Sequence, residues 1–175
     1  GRLFVAPNLA AVAVFMLFPL GFSLYMSFQR WDVFRPPKFV GLQNFRELFT
    51  SDPLFLIAIG NTVIFTLGTV VPTIVVSLVV AGVLNRKVRG IGIFRTIVFL
   101  PLAISSVVMA GVWQFVFNTD SGLLNMMLGW VGIGPVPWLV EPRWAMASLC
   151  IVSVWRSVPF ATVILLAAMQ GVPET

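Results

Sequence analysis

The sequence has no histidine, only one cysteine and few charged residues. With Cys150 as its only thiol, it has no side chains for a disulfide framework, a zinc site or a haem site. Its carboxylates also lie outside the long uncharged runs: Asp32, Glu47, Asp52, Asp120, Glu141 and Glu174. The spans therefore lack the carboxylate relay that proton-driven transporters carry.

Two further absences concern catalysis and nucleic acid. The sequence contains no Gly-x-x-x-x-Gly-Lys-Ser/Thr phosphate loop, and no nucleophile with a matching base in the uncharged runs. We therefore expect neither an enzyme nor a bound cofactor. Basic residues interleaved with aromatic residues do not form a patch, so nucleic acid is not an expected partner. Any uphill transport would have to draw its energy from a partner chain.

Long apolar runs dominate what is present. With 59% hydrophobic and 10% charged residues, the composition is that of a polytopic membrane protein. Each run exceeds the ~20 residues that a helix needs to cross the hydrocarbon core. We predict an all-α membrane bundle with four transmembrane helices, at Leu3–Ser27, Leu54–Leu84, Thr96–Phe117 and Trp144–Leu166. Its prolines indicate kinks, made either by packing or around a cavity.

The connections between spans carry two short helical patterns. Glycine and proline interrupt the segment from Asp120 to Glu141, which we predict to be a loop with a short helix at Leu123–Leu128. The loop before Asp52 contains an amphipathic segment with Leu42, Phe45, Leu48 and Phe49 on its apolar side. This segment lies either on the membrane surface or against the bundle's own end. Ser51-Asp52-Pro53 indicates a helix start.

Charge density predicts the orientation. The short connection from Asn85 to Arg95 holds Arg86, Lys87, Arg89 and Arg95 without an acidic residue. Short basic loops stay in the cytoplasm, so we place this loop and both chain ends inside. The net charge of +5 then favours contact with the inner leaflet.

Arg156 is the only charged residue between Trp144 and Pro173. A charge at that depth costs at least ~2.5 kcal/mol on insertion scales, so it needs a reason to be there. Two explanations remain open. Arg156 contacts a ligand, or it snorkels or pairs with a neighbouring helix and holds the bundle together.

An ordered series of motifs resembles the permease subunits of carbohydrate-type ABC importers, in the branch for maltose-like sugars, glycerol 3-phosphate and glycerophosphodiesters. The series covers nearly all of the chain: Phe18-Pro19-Leu20, Ser23 to Phe28, Phe39 to Phe45, Asn61-Thr62, Leu84 to Gly90, Phe94-Arg95-Thr96, Phe99-Leu100-Pro101, Trp113, Phe117-Asn118, Gly122 to Asn125, Val154-Trp155-Arg156, Pro159-Phe160 and Gln170 to Glu174.

The resemblance implies a single transmembrane permease domain over residues 1–175, with four spans of about six, in a bacterial inner membrane. It also implies a second permease, two ATP-binding subunits that hold ATP and magnesium, and an extracytoplasmic solute-binding protein. The family's coupling helix normally begins after residues like Pro173-Glu174. A non-transporting assembly subunit or scaffold would show the same spans, and the sequence beyond Thr175 would distinguish it.

The resemblance also suggests which residues contact solute. Positions that match the sugar-contacting ones are Leu102 and Ser106 on the third helix, then Arg156, Ser157 and Phe160 on the fourth. Helix packing is an alternative for all but Arg156, notably for Ser106, which forms a small-residue pair with Ala110. We assign the similar stripe of Thr73, Ser77 and Ala81 to packing. Because a guanidinium can bind a phosphate through two donors, we favour glycerol 3-phosphate or a glycerophosphodiester, with a disaccharide as the alternative.

Overall fold

The structure, a computed structural model, describes residues 2–85 and 90–171. The basic residues Arg86, Lys87 and Arg89 and the terminal Pro173-Glu174 lie outside the described residues. The chain forms two compact units, one up to Ile59 and one from Gly60 onward. The described part is largely helical, with three helices long and apolar enough to cross a membrane, or four if a bent pair of helices counts as one span. This confirms the all-α membrane bundle.

The first span is helical from Arg2 to Ser27 and changes its winding before a proline. It consists of α1 (Arg2–Val12), a π-helical turn (Ala13–Leu17) and α2 (Phe18–Ser27). The Phe18 N–H donates to the Ala13 carbonyl, five residues back. Pro19 has no N–H to donate, and the wider turn just before it accommodates that loss. The predicted span Leu3–Ser27 is confirmed.

A small hairpin and a helix follow within the first unit. Strands β1 (Gln29–Arg30) and β2 (Lys38–Phe39) pair antiparallel, and α3 spans Gln43–Thr50. The Asn44 side-chain amide donates to the carbonyls of Ser27 and Gln29, each at 2.8 Å. The hairpin was not among the elements predicted from the sequence.

The amphipathic helix α3 contacts its own unit through part of its apolar side. The rings of Phe28 and Phe45 lie 5.7 Å apart, and those of Phe49 and Phe55 lie 5.1 Å apart. Leu42 and Phe49 nevertheless remain largely exposed. Helix α3 thus packs against the end of the first span while leaving apolar surface free, and its contact with a membrane stays a prediction.

Helix α4 spans Pro53–Leu84 and begins as the sequence indicates. The Asp52 carboxylate accepts hydrogen bonds from the backbone N–H groups of Leu54 at 2.9 Å and Phe55 at 3.3 Å. Pro53 occupies a first-turn position where no donor is needed. The helix start predicted at Ser51-Asp52-Pro53 is confirmed.

The third span is not the single helix predicted at Thr96–Phe117. It consists of α5 (Ile91–Ala103) and α6 (Ser106–Val116), which meet at an angle of 107°. Ile104 and Ser105 are extended, and the Ser105 hydroxyl accepts from the Val108 N–H at 3.4 Å as the N-cap of α6. Pro101 has already removed one donor from the end of α5, so an extended break replaces the expected kink.

The loop after α6 is held together by Asn125, the third residue of α7 (Leu123–Trp130). Its amide nitrogen donates to the carbonyls of Thr119 and Val136, each at 2.9 Å, and its amide oxygen accepts from the Val136 N–H and the Trp138 indole. The short helix predicted at Leu123–Leu128 is confirmed and extends two residues further.

Helix α8 (Pro142–Gln170) contacts α4 within the second unit. The Ser77 hydroxyl of α4 donates to the Val158 carbonyl of α8 at 3.2 Å, next to Pro159. Ser77 and Ala81 are fully buried, as the packing prediction for that stripe required. The Trp155 ring of α8 lies 5.6 Å from the Trp113 ring of α6, edge to face.

Candidate functional site

A cleft of about 690 Å³ opens in the second unit between α4, the break after α5, and α8. Four of the five predicted site residues line it: Leu102, Arg156, Ser157 and Phe160. Seven further residues line the cleft and were not predicted as site residues: Phe65, Thr69, Thr73, Pro101, Ile104, Ser153 and Ala161.

Helix α8 separates polar from apolar surface around the cleft. Ser153, Arg156, Ser157 and Phe160 share one side because three- and four-residue steps return to the same helix face. The opposite face lines a second, apolar groove of about 480 Å³ through residues 151, 154, 155 and 158. The helical phase of α8 therefore turns Arg156 into the polar cleft.

Arg156 has a side chain that is free to meet a ligand. It is exposed, and within residues 2–85 and 90–171 it has no ion pair and no hydrogen bond. Both ion pairs of the described part lie in the first unit, Arg30 with Glu47 and Arg35 with Asp32. Among the described residues, Arg156 therefore has no charged partner.

Helix α4 supplies hydroxyl and aromatic groups to the cleft. Phe65, Thr69 and Thr73 follow one another at four-residue steps and so form a row on one face. The Thr69 hydroxyl donates to the Phe65 carbonyl at 2.7 Å, which leaves its lone pairs for a ligand donor. Thr73, which we assigned to packing together with Ser77 and Ala81, lines the cleft, whereas Ser77 and Ala81 are buried, so its assignment to packing alone stays a prediction.

The break between α5 and α6 closes one side of the cleft and sets Ser106 apart. Leu102, in the last turn of α5, and Ile104, in the extended break, both line it. Ser106 begins α6 beyond the change of direction, is exposed, and does not line the cleft. Its role in solute contact stays a prediction.

Spacing could have identified several of the residues that sequence reasoning missed. Ser153 lies three residues before Arg156, and Thr69 lies four residues before Thr73, so each shares a helix face with a residue already singled out. Ile104 gives no such signal, because its place depends on the break. Taken together, the cleft offers one guanidinium, several hydroxyl groups and two aromatic rings, a set suited to a small polar solute.

No family model matches the chain. The trehalose/maltose transport system permease protein MalF of Thermococcus litoralis is 34% identical over 175 residues, which cover 99% of this chain and 59% of that protein. The lactose transport system permease protein LacF of Rhizobium radiobacter is 37% identical over 177 residues, covering 100% of this chain and 59% of that protein.

The sn-glycerol-3-phosphate transport system permease protein UgpA of Yersinia pestis is 34% identical over 176 residues, covering 99% of this chain and 58% of that protein. The chain belongs to the family of transmembrane permease subunits of carbohydrate-type ABC importers. This confirms the resemblance. The chain spans somewhat under two thirds of the length of these relatives.

Solved structures agree with the family. A chain of a bacterial ABC transporter that imports the acidic polysaccharide alginate superposes with a TM-score of 0.80 at 25% identity, covering 98% of this permease and 58% of that chain. A second structure of an alginate ABC transporter, in complex with an alginate pentasaccharide-bound periplasmic protein, has a TM-score of 0.77.

Proposed function

We propose that this permease forms half of the solute pathway of a binding-protein-dependent ABC importer, and that the cleft around Arg156 is part of that pathway. The observation that carries the proposal is the exposed, unpaired guanidinium facing a cleft with hydroxyl and aromatic groups. A buried or paired arginine would have indicated a structural role.

The proposed assembly contains a second permease, two ATP-binding subunits and an extracytoplasmic solute-binding protein. ATP and magnesium belong to the ATP-binding subunits in this proposal. Family membership supports it, as does the alginate transporter that was solved together with its periplasmic protein. We also propose that both chain ends of this inner-membrane protein lie in the cytoplasm, because the connection from Asn85 to Arg95 is short and basic.

For the solute, we favour glycerol 3-phosphate or a glycerophosphodiester. A guanidinium binds a phosphate through two charge-assisted hydrogen bonds, which also compensates the cost of an arginine within a span. Ser153 and Ser157 flank Arg156 on the same face and can bind glycerol hydroxyl groups. The UgpA relatives, named for sn-glycerol 3-phosphate transport, support this choice.

A disaccharide remains the second candidate, and a separate observation favours it. Phe160 is largely exposed, and Phe65 also faces the cleft, so two aromatic rings can stack on sugar rings. Relatives named for trehalose/maltose and lactose transport match this chain about as well as those named for glycerol 3-phosphate.

The test is solute-stimulated ATP hydrolysis by the complete transporter, reconstituted with its binding protein. The wild type and Arg156→Ala would be compared with glycerol 3-phosphate, glycerophosphocholine, maltose and trehalose. We expect stimulation by a phosphate solute in the wild type and its loss in the variant, with assembly and basal hydrolysis unchanged. Stimulation by a neutral sugar that survives the substitution would exclude the phosphate assignment.

If no solute of the panel has any effect and the chain does not co-purify with ATP-binding subunits, the chain is instead a non-transporting assembly subunit. Co-purification therefore belongs in the same experiment.

A further inference from the structure

The hairpin after the first span holds a strained loop between its strands. Residues 31–37 connect β1 to β2, and Val33 has a φ of +70°. A β-branched residue in the left-handed region costs roughly 1–3 kcal/mol and persists only where its surroundings enforce it. Here the Asp32 carboxylate accepts from the Arg35 N–H at 2.8 Å, and Pro36 and Pro37 restrict the return strand.

This loop presents apolar side chains outward. Phe34 is 96% exposed and Val33 is 73% exposed, and Trp31 is nearly half exposed. Three exposed apolar residues within four positions, at the tip of a constrained turn, form a compact apolar projection. In water these side chains gain no free energy of burial that would offset the strain at Val33.

Basic side chains surround a small cavity beside the tip. Arg30, Arg35 and Lys38 line about 230 Å³, together with Asp32 and Pro36. Arg30 and Lys38 are direct cross-strand partners, and like charges in that position destabilise a strand pair. Glu47 pairs with Arg30 and Asp32 with Arg35, but Lys38 has no ion-pair partner in the part of the chain that the structure describes.

We propose that the hairpin of residues 29–39 binds the phosphate of an anionic phospholipid. The cavity takes the headgroup phosphate between Lys38 and the two arginines, and Val33 and Phe34 enter the boundary between headgroups and acyl chains. An anion between Arg30 and Lys38 turns their mutual repulsion into a shared attraction. Burying the ring of Phe34 adds the apolar contribution that interfacial anchors use.

Position along the chain favours lipid over a protein partner. The Val40 N–H donates to the Phe28 carbonyl at 2.9 Å, so the base of the hairpin is fixed one residue after α2 ends. Arg30 is three residues beyond Ser27, at most ~10 Å of extended chain, which is close to the thickness of the headgroup layer. Tryptophan and basic residues at that depth are typical of interfacial anchoring.

The experiment uses the complete transporter in nanodiscs, with bimane attached at Phe34→Cys in a Cys150→Ala background. Quenching by spin-labelled phosphatidylglycerol and by spin-labelled phosphatidylcholine gives the relative association of the two lipids with the hairpin. We expect strong quenching with a preference for phosphatidylglycerol, and about a fivefold loss of that preference in Lys38→Gln. Arg46→Gln, which removes an exposed cation of the same unit outside the cavity, is the matched control and should leave the preference unchanged.

Each other outcome overturns the proposal in a distinct way. An equal loss of the phosphatidylglycerol preference in Lys38→Gln and Arg46→Gln would mean that overall charge, and not this cavity, attracts the lipid. Full relief of the phosphatidylglycerol quenching by inorganic phosphate would identify a soluble anion as the ligand. No lipid quenching, with a bimane change only when the solute-binding protein is added, would make the tip a protein contact.

Discussion

Gly68 of α4 lies so close to Cys150 of α8 that a Cβ atom added at position 68 would stand 2.9 Å from the Cys150 Sγ. Both residues line the apolar groove on the side of α8 away from the cleft. The absence of a side chain at Gly68 is therefore what lets α4 and α8 approach each other, and this approach sets how far α8 stands from the cleft-lining residues of α4.

We predict that Gly68→Ala lowers the stability of the permease by about 1 to 2 kcal/mol, because the overlap outweighs the gain in helix propensity. In a Cys150→Ala background the nearest remaining side-chain atom is the Cβ, at 3.8 Å, so the same substitution should become neutral or stabilising there. A double-mutant cycle of thermal unfolding in detergent measures the coupling. Gly82→Ala is the control, since its new Cβ meets nothing within 4 Å. Additive effects of the Gly68 and Cys150 substitutions would contradict the packing argument.

Gly122, at the start of α7, has a different constraint. A Cβ there would lie 2.2 Å from the Asn118 carbonyl oxygen and 2.8 Å from that of Val116. Because these atoms are backbone, they cannot rotate away, and we expect Gly122→Ala to cost about 2 to 4 kcal/mol. Tryptophan fluorescence during thermal unfolding measures this loss of stability. Gly129→Ala on the same helix, where a Cβ has open space, should change little. An equal loss of stability at both positions would show that alanine destabilises α7 for a reason other than contact with these backbone carbonyl groups.

The spans and their starts could be predicted because each depends on local sequence. Apolar length predicts four crossings, and Asp52 followed by Pro53 marks a helix start whose carboxylate does accept two backbone N–H groups. The resemblance to a family supplied the positions of Leu102, Arg156, Ser157 and Phe160. The structure then showed that these four share one cleft.

The break at Ile104 and Ser105 was missed because hydropathy records apolar length and not direction. A bend of 107° leaves the composition of the run unchanged. Ser105 gave the one available signal, a capping residue four positions after Pro101. The position of the α4 residues in the cleft depends on contacts between distant segments of the chain. The strands of the hairpin have two residues each, which is too short to show a period.

Asn125 illustrates a contact set that sequence alone does not reveal. It is buried and uses its amide for four hydrogen bonds with Thr119, Val136 and the Trp138 indole. We predict that Asn125→Ala destabilises the second unit by at least about 3 kcal/mol, because several buried polar groups lose their partners together. Faster hydrogen exchange over residues 118–141 measures the effect locally. Gln114→Ala, an exposed polar residue on α6, is the control. Unchanged exchange in the Asn125 variant would show that water replaces the amide.

Of the two predicted serines, Ser157 on α8 lines the cleft, whereas Ser106 at the start of α6 does not. If the cleft binds solute, Ser157→Ala should raise the half-saturating solute concentration of the complete transporter about fivefold, the equivalent of one hydrogen bond of ~1 kcal/mol. Ser106→Ala removes the same hydroxyl group beyond the break and should leave that concentration unchanged. Solute-stimulated ATP hydrolysis, titrated with whichever compound stimulates the wild type, measures both variants. If only Ser106→Ala raised the half-saturating concentration, the solute would contact α6 and not the cleft. Arg156 would then need a different explanation.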